Sequence, residues 1–226
     1  MDRIADNLAE VLGRPETGSS DRPEDLLRAA IVSRRLSPNE RLVEADLTRW
    51  LGVGRSAVRT ALARLEHEGL VELEPHRGAR VRLVRLSEAI EIVEARAALE
   101  ALVARRAAAA ATPEDIDGLR AILDEMRRLL DAGDLLAVSD RNAGLHQRLQ
   151  EIAGHSTANR LIAALRSQLV RFEYRTILQP GRSERSLAEH TAIVDAVAAG
   201  DPDGAEAALR RHLANVADAL RRQEPE

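Results

Sequence analysis

Apolar positions between residues 43 and 83 change their period once, and that change predicts the elements. Val43, Leu47, Trp50 and Leu51 recur at helical spacing and predict a helix over 43–51. Gly52-Val53-Gly54 breaks it with a tight turn. A second amphipathic helix runs from Arg55 to about Glu68, with Val58, Leu62 and Leu65 on its buried face. After Gly69 the period becomes two: Val71 and Leu73, a Pro75-His76-Arg77-Gly78 turn, then Ala79, Val81 and Leu83 inward. This is a hairpin with Arg80 and Arg82 facing outward. Two helices joined by a short glycine turn form a helix-turn-helix, and the basic hairpin adds a wing. A preceding helix is expected from near Pro23, with Leu26, Leu27, Ala30 and Ile31 apolar.

Residues 1–20 read as a mobile N-terminal arm. Ile4, Leu8, Val11 and Leu12 allow one short amphipathic helix before a polar linker that ends at Ser20. From Ser87 onward the pattern is helical only. Thr112 caps a helix with Pro113 at its first position and acids in its first turn. Gly133, Gly154, Pro180-Gly181 and Gly200-Asp201-Pro202 punctuate the rest. The breaks predict helices near 87–111, 113–131, 134–152, 156–178, 184–199 and 202–222. The expected fold is mainly α, with a winged helix-turn-helix over 21–85 and an all-α antiparallel bundle over 86–226.

Charge and composition refine this picture. The chain of 226 residues carries a formal net charge of −4, which is unusual for a nucleic-acid binder. The charge is uneven: residues 21–85 hold 13 arginines against 10 acids, whereas residues 86–226 hold 18 against 23. DNA contact therefore belongs to the first part. All 33 basic residues are arginine, which excludes lysine Schiff-base chemistry. With only Trp50, Phe172 and Tyr174 as aromatics, stacking on single-stranded bases is disfavoured against duplex binding. Cysteine is absent, so disulfides and thiolate metal sites are excluded. No apolar run is long enough to span a bilayer and no secretory signal is visible, so a cytoplasmic protein is expected, associated with the nucleoid when bound to DNA.

The arginines suggest which surface faces DNA. Arg55 and Arg59 project from one face at the start of the second helix of the motif, where a recognition helix reaches base edges. Arginine there can donate two hydrogen bonds to one guanine. Arg77 at the hairpin tip, beside Gly78, suits a minor groove or a phosphate. Ser56, Arg41 and Arg64 complete the candidate DNA-binding set. The alternative is that these side chains only solvate an exposed helix face.

The bundle carries its own candidate chemistry. Asn142 and His146 share a face of one helix, and His190 and His212 lie on two later helices. Imidazoles from three neighbouring helices can hold a divalent ion and leave open positions for a ligand. By spacing alone, histidines scattered over helices are more often ordinary surface or satisfied core groups.

The first part resembles the GntR family of bacterial transcription regulators. The resemblance rests on Leu42, Glu44, Leu47, Gly52-Val53, Arg55, Val58-Arg59, Ala61-Leu62, Leu65, Glu68-Gly69-Leu70-Val71, Arg77-Gly78-Ala79 and Val81. Gly54 stands where the family usually has serine and Ala57 where proline is frequent. The second part resembles the FCD ligand-binding domain of the family's FadR branch, through Arg96, Leu99-Glu100, Asn142, His146, Glu189-His190, Ala196, Gly200-Asp201, Ala207 and His212-Leu213. The resemblance implies a divalent transition metal, Zn or Ni, held by Asn142, His146, His190 and His212. Asparagine replaces the commoner aspartate and removes one negative charge from that set. Leu145 stands where phenylalanine is usual, and His155 falls outside the pattern as a helix-end or surface residue.

The resemblance also implies a small carboxylate effector, for which Arg96, Arg171 and Arg175 are candidates; each also suits a surface ion pair. The expected function is a ligand-responsive regulator, most simply a repressor, that binds a pseudo-palindromic double-stranded operator as a homodimer and is not an enzyme. Two alternatives stand beside it: a metal-free pocket for an apolar or acyl effector, and a metal-dependent hydrolase.

Overall fold

Pro23, followed by Glu24 and Asp25, opens the first helix in the way the backbone favours, with acids facing the unsatisfied amides of the first turn. The computed structural model describes residues 22–33, 35–74, 78–169, 172, 176 and 179–222. The expected N-terminal arm with its short helix, and the hairpin tip at 75–77, lie outside the described residues. The chain divides into two compact units, Met1–Val84 and Arg85–Glu226.

The first unit contains α1 (Pro23–Val32), β1 (Arg41–Leu42), α2 (Glu44–Leu51), α3 (Arg55–His67), β2 (Val71–Glu74) and β3 (Gly78–Val81). Gly52 ends α2 in the left-handed conformation, φ 66°. Gly54 caps α3 without a side-chain bond, so this helix start lacks the amide partner a serine would provide. The strands form an antiparallel sheet in the order β1-β3-β2, with Val71 opposite Val81 and Arg41 opposite Arg80. The sequence pattern does not predict strand β1, because two residues are too short to show a period. Leu27, Leu36, Leu42, Leu47, Val58, Leu62, Leu65, Val71 and Val81 close one core beneath α2 and α3.

Two expected inward positions of the hairpin are exposed. Leu73 lies on the core side of the sheet opposite Ala79, yet it borders an open groove with Leu62 and Ala63. Leu83 follows the end of β3 and is also exposed.

The second unit contains α4 (Leu86–Ala110), α5 (Pro113–Asp131), α6 (Leu135–Ala153), α7 (Ser156–Ser167), α8 (Arg182–Ala198) and α9 (Pro202–Arg221). Helix α4 is central and touches α6, α7, α8 and α9. Buried Ala101, Ala104, Ala107 and Ala108 on α4, with Ala205, Ala208, Ala217 and Ala219 on α9, give these helices slim, alanine-rich inner faces. Thr112 and Asp115 form the reciprocal capping box that starts α5. Asp134 and Asp201 cap α6 and α9.

The helix expected over 156–178 ends at Ser167 instead. Ser167 Oγ and Gln168 Nε2 both donate to the carbonyl of Ala164, while the amides of Gln168 and Leu169 turn back three residues. Side chains that take a backbone acceptor compete with the helical ladder.

Candidate functional site

In the first unit the exposed face of α3 begins where Gly54 releases the chain. Arg55, Ser56 and Arg59 are exposed there, and Arg41, Arg55, Arg59 and Gly78 border one open groove between α2, α3 and the sheet. Arg59 Nε lies 3.0 Å from both carboxylate oxygens of Glu44, so α2 orients this guanidinium while leaving most of it in solvent. Arg55 has no ion-pair partner among the described residues. Arg80 is held by Glu74 and by the carbonyl of Asn39. Arg77 lies outside the described residues.

Two members of the candidate set have structural duties. Arg64 follows Arg55 by about two and a half helical turns and leaves α3 on the side of α1, where it pairs with the buried carboxylate of Glu24. Beside it Arg28 binds both oxygens of Glu68 at 2.7 Å and clamps α1 to the end of α3. Gly78 has φ +92°, and a Cβ there would stand 2.5 Å from the Leu42 carbonyl oxygen. Close approach of β1 therefore accounts for this glycine.

In the second unit α6, α8 and α9 bring His146, His190 and His212 together, all buried, with their nitrogens within 4.8 Å of one another. His146 Nε2 and His190 Nε2 are 3.2 Å apart, close to the roughly 3.3 Å that two imidazoles on one tetrahedral ion require with bonds of about 2.0–2.1 Å. Asn142 lies one turn before His146, and its buried Oδ1 lacks a hydrogen-bond partner among the described residues. A hard carbonyl oxygen without a donor beside three imidazoles is the donor set of a divalent transition metal, so the residues present fit such an ion.

Carboxylates orient the outer histidines. Glu100 Oε2 is 2.8 Å from His146 Nδ1, and Arg96 Nε donates to Glu100 Oε1 at 2.8 Å. Glu189 Oε2 is 2.7 Å from His212 Nδ1 and accepts from Arg182 Nη2 at 3.1 Å. His190 Nδ1 faces Ser186 Oγ at 3.3 Å. Burial, reinforced by His212, His146 and Arg182, pushes His190 well below the usual imidazole range. Burial also pushes His212 down to about 4, against the pull of Glu189. Neutral imidazoles are the metal-binding form. Burial opposes ionisation of Glu100, but Arg96 and His146 outweigh it and hold the group well below the carboxylate range. Burial likewise opposes ionisation of Glu189, and His212, Arg182 and Asn215 prevail to lower its pKa.

A cavity with a water-accessible volume of about 80 Å³ adjoins the histidines, bordered by Arg96, Asn142, His146, Arg182, Ser186 and His212. Arg96, expected to bind an effector, reaches this cavity but is buried and committed in part to Glu100. Arg171 and Arg175 lie outside the described residues. His155 is the helix-end residue expected: it caps α7, Nδ1 accepting from the amide of Ala158. The pattern of the sequence assigned no role to Glu100, Glu189, Ser186 or Arg182. The spacing of Arg96 and Glu100 and the adjacency of Glu189 to His190 were the available signals.

Residues 20–81 match the family described as bacterial regulatory proteins, gntR family, and residues 91–215 match the FCD domain. The HTH-type transcriptional repressor RspR of Escherichia coli K12 is 28% identical over 196 residues, covering 87% of this chain and 86% of that protein. The "Probable D-xylose utilization operon transcriptional repressor" of Paenarthrobacter nicotinovorans is 30% identical, covering 84% of this chain and 83% of its own length. Among solved structures, McbR/YncC of Escherichia coli superposes with a TM-score of 0.73 at 21% identity, over 89% of this chain and 96% of its own, a likeness of fold.

Proposed function

This chain belongs to the gntR family of bacterial regulatory proteins and carries the FCD domain, and from that premise we propose that it is a metal-dependent, acid-sensing repressor of the family's FadR branch. Its relatives are transcriptional regulators rather than enzymes, which sets the hydrolase alternative aside. No helix among the described residues is long and apolar enough to cross a membrane; the proposed place of action is the cytoplasm, on the nucleoid.

In this reading residues 21–85 bind the operator through Arg55, Ser56, Arg59 and Arg41, with Arg77 from the wing and Arg64 and Gly78 supporting the fold. Residues 86–226 bind the effector and form a homodimer. A two-fold dimer reads a pseudo-palindrome, and an effector that favours one dimer geometry changes operator affinity by its differential binding.

The observation that carries the proposal is the buried set of His146, His190 and His212 beside the unpartnered Asn142 oxygen. These four would hold Zn or Ni, which when bound supplies a Lewis-acidic position for a carboxylate. The surrounding charges decide the effector class. Arg96 and Arg182 offset Glu100 and Glu189, Arg166 also borders the cavity, and three imidazole ligands with one amide would leave a divalent charge uncompensated. An anionic ligand restores the balance in a buried site. A volume of about 80 Å³ suits a small acid better than an acyl chain.

Mass spectrometry of the metal and small molecules released from purified protein, joined to a gel shift with the released acid, tests this. Protein without metal and without acid, yet fully responsive to a fatty-acyl compound, refutes it.

A further inference from the structure

We infer that Arg182 reads the anion in the cavity and that Glu189 couples it to the metal position at His212, so that a small dicarboxylate and a divalent ion strengthen each other's binding. The inference rests on the metal-site reading above and adds a residue and a regulatory link to it.

Arg182 opens α8 and is 4% exposed. Its Nη2 donates to Glu189 Oε2 at 3.1 Å, while its buried Nη1 has no hydrogen-bond partner among the described residues, and the side chain borders the cavity. A buried guanidinium N–H without an acceptor is costly, and a carboxylate in the cavity relieves that cost with a charge-assisted bond. Arg96 is the other buried arginine at this cavity, and its Nε is already given to Glu100.

The coupling follows from one shared atom. Glu189 Oε2 faces both Arg182 Nη2 and His212 Nδ1, the latter at 2.7 Å, and Asn215 Nδ2 holds the other oxygen at 2.9 Å. The carboxylate is thus clamped while two donors draw on the same oxygen. A carboxylate bound to Arg182 reduces the guanidinium's pull and leaves more negative charge facing His212. A stronger acceptor at Nδ1 makes the opposite nitrogen a better metal donor. Linkage requires the effect to run equally in both directions. The second carboxylate of the ligand is free to face the metal position, since His212 borders the same cavity.

Calorimetric titration of malonate into the metal-free and the zinc-loaded full chain tests this. Zinc should tighten malonate binding by a factor of about 5–150. Arg182→Gln should weaken malonate in both forms. Glu189→Gln should keep malonate binding to metal-free protein while the zinc-induced factor shrinks several-fold. An unchanged factor in Glu189→Gln, or unchanged malonate affinity in Arg182→Gln, overturns the inference and leaves the metal-site reading intact. Malonate failing to bind either form of the wild type overturns the inference, while the metal and acid released from purified protein decide the metal-site reading separately.

A measurement on wild-type protein covers a variant that does not fold. With 15N-labelled histidine and no metal, malonate should shift the His212 Nδ1 resonance more than that of His190, whose Nδ1 faces Ser186. Equal shifts or none overturn the coupling.

Discussion

His146 Nε2 lies 3.2 Å from His190 Nε2, and each ring has a further polar neighbour: Glu100 Oε2 stands 2.8 Å from His146 Nδ1 and Ser186 Oγ 3.3 Å from His190 Nδ1. With His190 Nε2 turned to a divalent ion, Ser186 would accept from the Nδ1–H of that ring and hold it in place. Ser186→Ala is expected to weaken metal binding about tenfold or more, read by competition with a chromophoric chelator. Undiminished affinity would show that Ser186 does not orient the ring.

Replacing His146, His190 and His212 together with alanine should remove any co-purifying metal. Elemental analysis of wild type and variant side by side decides it, and equal metal content places the ion elsewhere.

Acid should weaken the second unit. His212 has its pKa lowered from 6.5 to about 4 in the fold, so between these values the unfolded chain binds more protons and stability rises with pH. The contribution is complete above pH 6.5, falls as pH drops towards about 4, and amounts to about 3 kcal/mol at most. His190, also lowered, acts in the same direction. Urea unfolding of metal-free protein at pH 7 and pH 4.5 measures this, and equal midpoints contradict it.

Arg55→Ala and Arg59→Ala should each abolish specific operator binding while leaving the fold intact. Because Glu44 holds Arg59 through both oxygens, Glu44→Gln should relax base discrimination by up to about 1–3 kcal/mol. Competitive gel shifts at one salt concentration, with specific and scrambled duplexes, separate the two effects.

Arg64→Ala should act mainly on stability. It leaves the buried Glu24 with less compensation, and the half-exposed arginine limits the loss to about 1 kcal/mol. A larger effect on operator affinity than on the thermal midpoint would return Arg64 to the DNA-reading set.

Helix positions were legible because a period of 3.6 and a glycine or proline stop are local. Residues 43–51, 55–68, 113–131 and 202–222 differ from the observed helices by at most one residue at either end. The end of α7 was not legible, because side chains of Ser167 and Gln168 captured a carbonyl that periodicity assigns to the ladder. Strand β1 exists only because Arg41-Leu42 meets Arg80-Ala79 far along the chain.

The sequence by itself determined the two units and most of their element types, since these follow from local spacing, and its resemblance pointed to Asn142, His146, His190 and His212 as one candidate set. Only the tertiary structure decided what surrounds them. That Arg64 faces Glu24, 40 residues away, that His146 meets His190, 44 residues away, and that Arg182 borders the cavity depend on helices brought together by the fold, whereas the Arg96–Glu100 pair is local to α4. A side chain's partner is set by that three-dimensional neighbourhood, and burial makes an unmet hydrogen bond costly enough to matter.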